Sequence, residues 1–273
     1  MASKLTNIFF IAFFFISIST VAQQKSFTPT KGKITFTSSE IITDQKLAMK
    51  SYNEMTKKMI LKLKNAIKEE KLAIKDDIDT NKLELVTDTL SSILPELLQQ
   101  KKSKIDHSYI YKNSVIQYTA MQNGVSKGDF FTLIDPAKST TTLIIKTDTL
   151  EIKGESEPFT YSKNRDFSIK EFRDEKRTIS GYSCFKVIFS YKKEEEPFNE
   201  DISNSEKEFL QYISSFKYYK EFWVTESVKS LYHPVCKDKE ILDKYYPLEI
   251  KEYNDLTKGI EQVHLLKHIS IFK

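Results

Sequence analysis

Residues suited to catalysis or metal binding are few in this sequence and widely spaced. Cys184 and Cys236 are its only thiols, and His233 lies three residues before the second of them. In an oxidising compartment such a pair is typically a disulfide, so we predict a bridge between Cys184 and Cys236. The alternative is a metal site that uses Cys236 and His233, although structural zinc sites take four ligands and no further cysteine is available.

The other candidate motifs do not complete an active site. The run Gly181-Tyr182-Ser183-Cys184-Phe185 lacks the second glycine of a nucleophile elbow. His264 and His268 are four residues apart on a predicted strand, but no acidic partner lies in register, so we interpret both as solvated. The acidic run Glu194-Glu195-Glu196 is typical of a solvated loop. We therefore predict no catalytic residues, no metal and no cofactor, and a protein that is not an enzyme.

The first residues have the pattern of a secretory signal peptide. Lys4 supplies a positive charge, Ile8 to Ile18 is a short apolar run, and Thr20-Val21-Ala22 has the small residues of a cleavage site. The alternative, a membrane anchor, needs roughly 20 apolar residues, and this run is shorter. We predict cleavage after Ala22 and a single exported domain, residues 23–273, in the periplasm or outside the cell. The mature chain should have no transmembrane anchor.

Charge and composition restrict the class of partner. The net charge is a modest +4, and the only arginines are Arg165, Arg173 and Arg177. Nucleic-acid recognition favours arginine, because its planar fork matches phosphates and guanine edges. The many lysines are more simply explained as a soluble surface. We therefore expect no nucleic-acid partner.

One segment has a helical period. From Gln45 to about Glu69, apolar residues recur at intervals of three and four on one arc: Met49, Tyr52, Met55, Met59, Leu63, Ala66 and Ile67. Methionine is flexible and polarisable, so this stripe is either ordinary core or a surface that accepts a ligand. A second, shorter helix is predicted from Asp88 to Lys102, and Pro95 within it should either kink this helix or divide it into two shorter pieces.

Most of the remaining chain alternates as β-strands do. The strand from Thr178 to Tyr191 places Phe185, Val187 and Phe189 on one face, and the strand Lys220 to Thr225 carries the only tryptophan, Trp223. Other strands are predicted near residues 32–38, 109–111, 115–121, 129–134, 139–145, 167–172, 246–253 and 261–272. Because strands follow one another with few helices between them, the sheet should be antiparallel.

The order of these features resembles the exported proteins of the GLPGLI family and related envelope domains with a LolA-like fold. The features are the signal peptide, a first strand that begins at Gly32, Ile179-x-Gly181-Tyr182-x-Cys184, Trp223-Val224-Thr225-Glu226, Pro247-Leu248-Glu249-Ile250 and a final strand. The resemblance implies an α+β fold: a curved antiparallel sheet, or half-open β-barrel, with an inserted long amphipathic helix and the second shorter helix on its concave side. In LolA-like proteins such a cavity holds lipid acyl chains.

Two functions without catalysis follow. In the first, a lipid or other apolar ligand lies in the half-barrel cavity and contacts Met49, Tyr52, Met55, Met59, Leu63, Phe185, Val187, Phe189 and Trp223. In the second, the chain is a structural or protein-interaction module of the cell envelope or exterior. That function predicts an exposed apolar or aromatic patch and no cavity.

Overall fold

The fold is built on one sheet. The computed structural model describes residues 26–69, 103–126, 130–194, 207, 211–212 and 214–273. Its strands and helices have these bounds: β1 Lys31–Ile42, α1 Gln45–Glu69, β2 Ile105–Lys112, β3 Val115–Gln122, β4 Val125–Ser126, β5 Phe130–Asp135, β6 Thr140–Lys146, β7 Glu151–Pro158, β8 Asn164–Ile179, β9 Tyr182–Lys193, β10 Tyr218–Thr225, α2 Lys239–Leu242, β11 Tyr246–Asn254 and β12 Ile260–Phe272.

The sheet is antiparallel and open. Its strands pair in the order β7-β6-β5-β3-β2-β1-β12-β11-β10-β9-β8, and β4 pairs with β3 beside this path. All pairings between these strands are antiparallel, as the strand order in the sequence predicts. The first and last strands of the chain, β1 and β12, lie together near the centre. The two edges are β7, which the sequence did not predict, and β8.

The predicted α+β fold class is wrong. The described chain is mostly β, and its sheet is open, not a half-open β-barrel around an inserted amphipathic helix. A helix does occupy Gln45–Glu69, but its described side chains do not form a buried apolar stripe: only Ala48 and Ser51 are buried, and Leu61 is exposed. Periodicity therefore located a helical segment without determining what covers it. The predicted second helix, residues 88–102, lies outside the described residues.

The start of α1 is fixed to the turn between β11 and β12. The Asp44 carboxylate accepts a hydrogen bond from the Leu47 amide at 2.9 Å, which caps the first turn of the helix. The Gly259 carbonyl accepts hydrogen bonds from the amides of Thr43 and Asp44. Gly259 has a φ of +83°, and an added Cβ would lie 2.4 Å from the Asp44 carbonyl oxygen. Only glycine fits this contact without a shift of the backbone.

Most of the apolar core lies on one face of the sheet, which we call the inner face. Phe222 pairs with both Val187 and Ile250, and paired residues share a face. The exposed fraction of all three residues is 1 % or less. The segment between β10 and β11 completes this core with its own buried side chains: Val228, Tyr232, Ile241 and Leu242. The centre of the inner face is therefore filled by the protein itself.

The predicted signal peptide, residues 1–22, lies outside the described residues. In the part of the chain that the structure describes, no helix combines the length and the apolar character needed to cross a membrane.

Candidate functional site

The structure does not gather the predicted ligand-binding residues of the sheet around one space. Phe185, Val187 and Phe189 are buried in a cluster that also contains Ile241 and Leu242. The side chains from α2 thus occupy the region that an apolar ligand would need. We conclude that these three residues of β9 belong to the core.

Trp223 lies on the other face of the sheet. It pairs with Lys186 and Glu249, whereas its neighbour Phe222 pairs with Val187. The guanidinium carbon of Arg177 lies 4.0 Å from the Trp223 ring centroid, a cation–π contact. The strand assignment was right, but the face assigned to Trp223 was not.

The predicted helical stripe is divided between two environments. Met49 and Tyr52 pack against a small cluster of Ala48 and Ile260. Met55 lines a cleft of about 290 Å³ between α1 and the turn that joins β11 to β12. The side chains of Met59 and Leu63 lie outside the described part of the structure.

The predicted disulfide is wrong. Cys184 and Cys236 are both free and buried, and they belong to different hydrophobic clusters. Burial raises the pKa of the Cys184 thiol to about 11 and also raises the pKa of Cys236. Both therefore act as small apolar side chains, which is a common role of buried free cysteine.

His233 has a structural role. Its Nε2 donates to the Pro247 carbonyl at 2.9 Å, and its Nδ1 accepts from the amides of Val235 at 3.2 Å and Cys236 at 3.0 Å. Burial lowers the pKa of His233 to about 3, so the ring is neutral. Since both ring nitrogens are engaged by the backbone, the alternative of a metal site at His233 and Cys236 loses its nitrogen ligand. Among the described residues, no group of three or more His, Cys, Asp or Glu side chains could hold a metal ion.

A buried ionic network links four neighbouring strands, from β1 to β10. The Lys220 ammonium donates to the Asp238 carboxylate at 2.8 Å and lies 3.4 Å from the Glu252 carboxylate. Glu252 lies 3.6 Å from Nε2 of His264, and Nδ1 of His264 is 2.6 Å from the Ser38 hydroxyl. The network crosses the inner face beside the apolar core, where unpaired charges would be costly.

The interpretation of His264 as solvated is wrong. His264 is buried beside Glu252, whereas His268 is exposed. Thr35 pairs with His268 but Phe36 pairs with Leu266, so β12 has one extra residue at this point, a β-bulge. The extra residue reverses the alternation of side chains beyond it. The two histidines therefore lie on different faces, although their spacing suggested one face.

Contacts within the network keep Glu252 and Lys220 in their charged forms. Burial alone would raise the pKa of Glu252, but Lys220 and His264 outweigh it and hold that pKa at about 2. Burial alone would lower the pKa of Lys220, but Glu252 and Asp238 hold it well above its usual range. Glu252 and Lys220 therefore remain ionised at neutral pH.

Glu252, in the middle of the network, also faces a cleft of about 240 Å³. The wall includes four tyrosines: Tyr191, Tyr218, Tyr219 and Tyr253. The rings of Tyr191 and Tyr218 are stacked with centroids 5.7 Å apart, and the Lys193 ammonium lies 4.6 Å from the Tyr218 centroid. We call this space the tyrosine cleft. It combines aromatic faces with a half-buried carboxylate, and no sequence pattern indicated it.

A different part of the inner face is uncovered. We call β5, β6 and β7 the wing. Phe130 pairs with Ile145, which pairs with Ile152, and these side chains are 48 %, 39 % and 49 % exposed. Leu143, two residues from Ile145, is also exposed.

This apolar row lies on the same face as the core. Continuous pairing leads from Ile34 in the core through Tyr109, Tyr118 and Thr132 to Leu143. At the edge, all eight residues of β7 are exposed. The inner face is therefore covered at its centre and open at the wing.

Neither a protein-family model nor a curated protein matches this sequence. The resemblance to the GLPGLI family therefore stays a prediction.

Proposed function

We propose that the chain is an exported protein without catalytic activity that binds another protein of the cell envelope or exterior through the wing. The exposed, in-register row of Phe130, Ile145 and Ile152 carries this proposal. Soluble monomers rarely leave large contiguous apolar patches in water, and such patches typically mark interaction sites. The row is also continuous with the face on which the protein buries its own core, so an apolar partner would extend that core.

The edge strand β7 favours a particular kind of partner. It carries Glu151, Glu155 and Glu157 against one lysine, Lys153. An exposed edge offers unpaired backbone groups to which an extended segment can add as a further strand. Apolar side chains beside basic ones would complement both the row and the glutamates. The proposed partner is therefore a protein segment of mixed apolar and basic character.

Photo-crosslinking in the producing cell tests this proposal. We expect p-benzoylphenylalanine in place of Phe130 to form a discrete adduct with a second protein, because the side chain points into the interface. The same group in place of Leu61, an exposed residue of α1, is the matched control and should not form that adduct. The adducts are resolved by electrophoresis and identified by mass spectrometry.

The double variant Ile145→Lys, Ile152→Lys should abolish the adduct formed from position 130 while the melting temperature stays unchanged. An adduct that survives this variant, or one between two copies of the chain, would contradict the proposal. An adduct within the chain would show that residues of the protein itself cover the wing, which also excludes the partner.

The cleft between α1 and the turn that joins β11 to β12, which we call the α1 cleft, supports a second candidate function, the binding of an apolar ligand. Its wall contains four apolar residues, three lysines and two acidic residues: Leu47, Met55, Phe216, Leu256, Lys50, Lys58, Lys258, Glu54 and Asp255. The lysines therefore outnumber the carboxylates by one. Apolar walls with a few charged groups are typical of small-molecule sites. The lysines favour a ligand with an anionic head and a single apolar chain. In this second function, Met55 of the predicted ligand site contacts the ligand, and the ligand lies beside α1 and not within the sheet.

We expect dodecanoate to bind the mature chain in calorimetric titration if this cleft is a ligand site. Met55→Asp should abolish binding, because it adds a negative charge beside the anionic ligand and removes an apolar part of the wall. Leu61→Asp on the exposed side of the same helix is the control and should bind as the wild type does. Absence of dodecanoate binding to the wild type would exclude this function.

A further inference from the structure

We propose that the tyrosine cleft binds a small organic cation, such as an ammonium compound, between Tyr218 and the carboxylate of Glu252. This site is independent of the wing, because β1, the strand of the cleft nearest to the wing, is separated from β5 by β2 and β3.

The charges around the cleft favour a cation. In the network behind the cleft, the carboxylates of Asp238 and Glu252 face one ammonium group, that of Lys220. The network therefore contains one more carboxylate than it has ammonium groups. The wall of the cleft adds one further carboxylate, Glu40, and one further ammonium group, Lys193. The site thus carries a local negative charge in a chain whose net charge is +4, and a poorly solvated negative charge attracts a cation.

The aromatic surface of the cleft also favours a cation. Tyrosine rings attract ammonium groups within about 6 Å of the ring centroid. The protein's own ammonium groups already use these rings: Lys193 lies 4.6 Å from the Tyr218 centroid and Lys220 lies 5.6 Å from the Tyr191 centroid. Lys220 is buried and fixed, whereas Lys193 is exposed at the end of β9. The Lys193 ammonium therefore occupies the position of a ligand cation at the Tyr218 ring, and its exposed side chain can move away when a ligand binds.

The size of the cleft limits the ligand. A volume of about 240 Å³ is below the usual range of about 300–1,000 Å³ for drug-sized ligands. A compact cation with few heavy atoms fits this space. Choline is a suitable probe because its neutral isostere, 3,3-dimethylbutan-1-ol, has the same shape without the charge.

Titration of the mature chain with choline, followed by NMR and calorimetry, tests the proposal. We expect choline to bind and to shift the Tyr218 resonances, and the neutral isostere to bind at least about tenfold more weakly, as loss of the cation–π and charge attraction implies. Binding of both compounds with equal affinity, or of neither, would overturn the proposal.

Two substitutions sharpen the test. Lys193→Gln removes the competing ammonium and should tighten choline binding, whereas a site for anions would be weakened by the same change. Gln262→Lys, at an exposed residue of the wall, adds a permanent ammonium and should weaken choline binding about tenfold. Lys192→Gln is the control, since Lys192 pairs with Asp166 at 3.3 Å, and should leave affinity unchanged. A Lys193→Gln variant with weaker choline binding would contradict the assignment.

Discussion

Replacing Lys220 with methionine is expected to lower the free energy of unfolding by about 3–5 kcal/mol, the cost of removing one partner from a buried ion pair. The variant leaves the carboxylates of Asp238 and Glu252 facing each other without the ammonium that now lies 2.8 Å from one and 3.4 Å from the other. Methionine preserves most of the side-chain volume, so the loss reports charge more than packing. Urea denaturation at neutral pH measures it.

Lys251→Met is the matched control, because Lys251 pairs with Glu261 at a more exposed position. It should cost less than about 1 kcal/mol, as exposed ion pairs contribute little. A loss in the Lys220 variant no larger than this control would contradict the description of the network.

The pH dependence of the same variant gives an independent check. The pKa of Glu252 is depressed to about 2 in the folded protein, against about 4.3 in an unfolded chain. Its stabilising effect is therefore present above the unfolded value and is lost as the pH falls toward 2. Because Lys220 is a main cause of the depression, the difference in stability between wild type and variant should shrink over this range.

Truncating Phe189 to alanine should destabilise the protein by about 3–5 kcal/mol, the range for removing a buried aromatic side chain. Phe189 is fully buried and stacks on Tyr191 with ring centroids 5.0 Å apart. The substitution leaves a cavity that the surrounding side chains cannot fully close. Denaturation monitored by fluorescence or circular dichroism gives the difference.

Phe130→Ala provides the comparison, since the same change is made at a side chain that is 48 % exposed. It should change stability by less than about 1 kcal/mol. If Phe189 lined an open ligand cavity, its truncation would be nearly as mild as that of Phe130, and the description of a filled inner face would be wrong.

The strands could be predicted from sequence because alternation is a local property. The hairpin of β5 and β6 and the strands β9 to β12 were found near their predicted positions. β7 escaped prediction because its sequence, EIKGESEP, is charged and exposed throughout, so no buried face imposes alternation. The fold class failed for a related reason: a helical period locates a helix but does not show whether a sheet covers it.

The functional features were harder to predict because they depend on contacts between distant segments. Lys220 precedes Phe222 by two residues, so a lysine at an inward position was a signal that sequence analysis could have used. Its partners come from β11 and from the segment before α2, which no local pattern connects. The bulge that separates His264 from His268 is likewise visible only in the pairing of β1 with β12. The wing could not be recognised from the sequence, because apolar strand residues such as Ile145 and Ile152 are usually buried. Whether other segments cover them depends on the tertiary structure.

We propose that this protein acts through a protein partner on the wing and not through a ligand inside the sheet. Native mass spectrometry of the mature chain, isolated from the exported compartment without detergent, tests it most directly. We predict a complex with a second protein that disappears in the Ile145→Lys, Ile152→Lys variant. A monomer that carries a small apolar molecule, retained in that variant and lost on organic extraction, would contradict the claim.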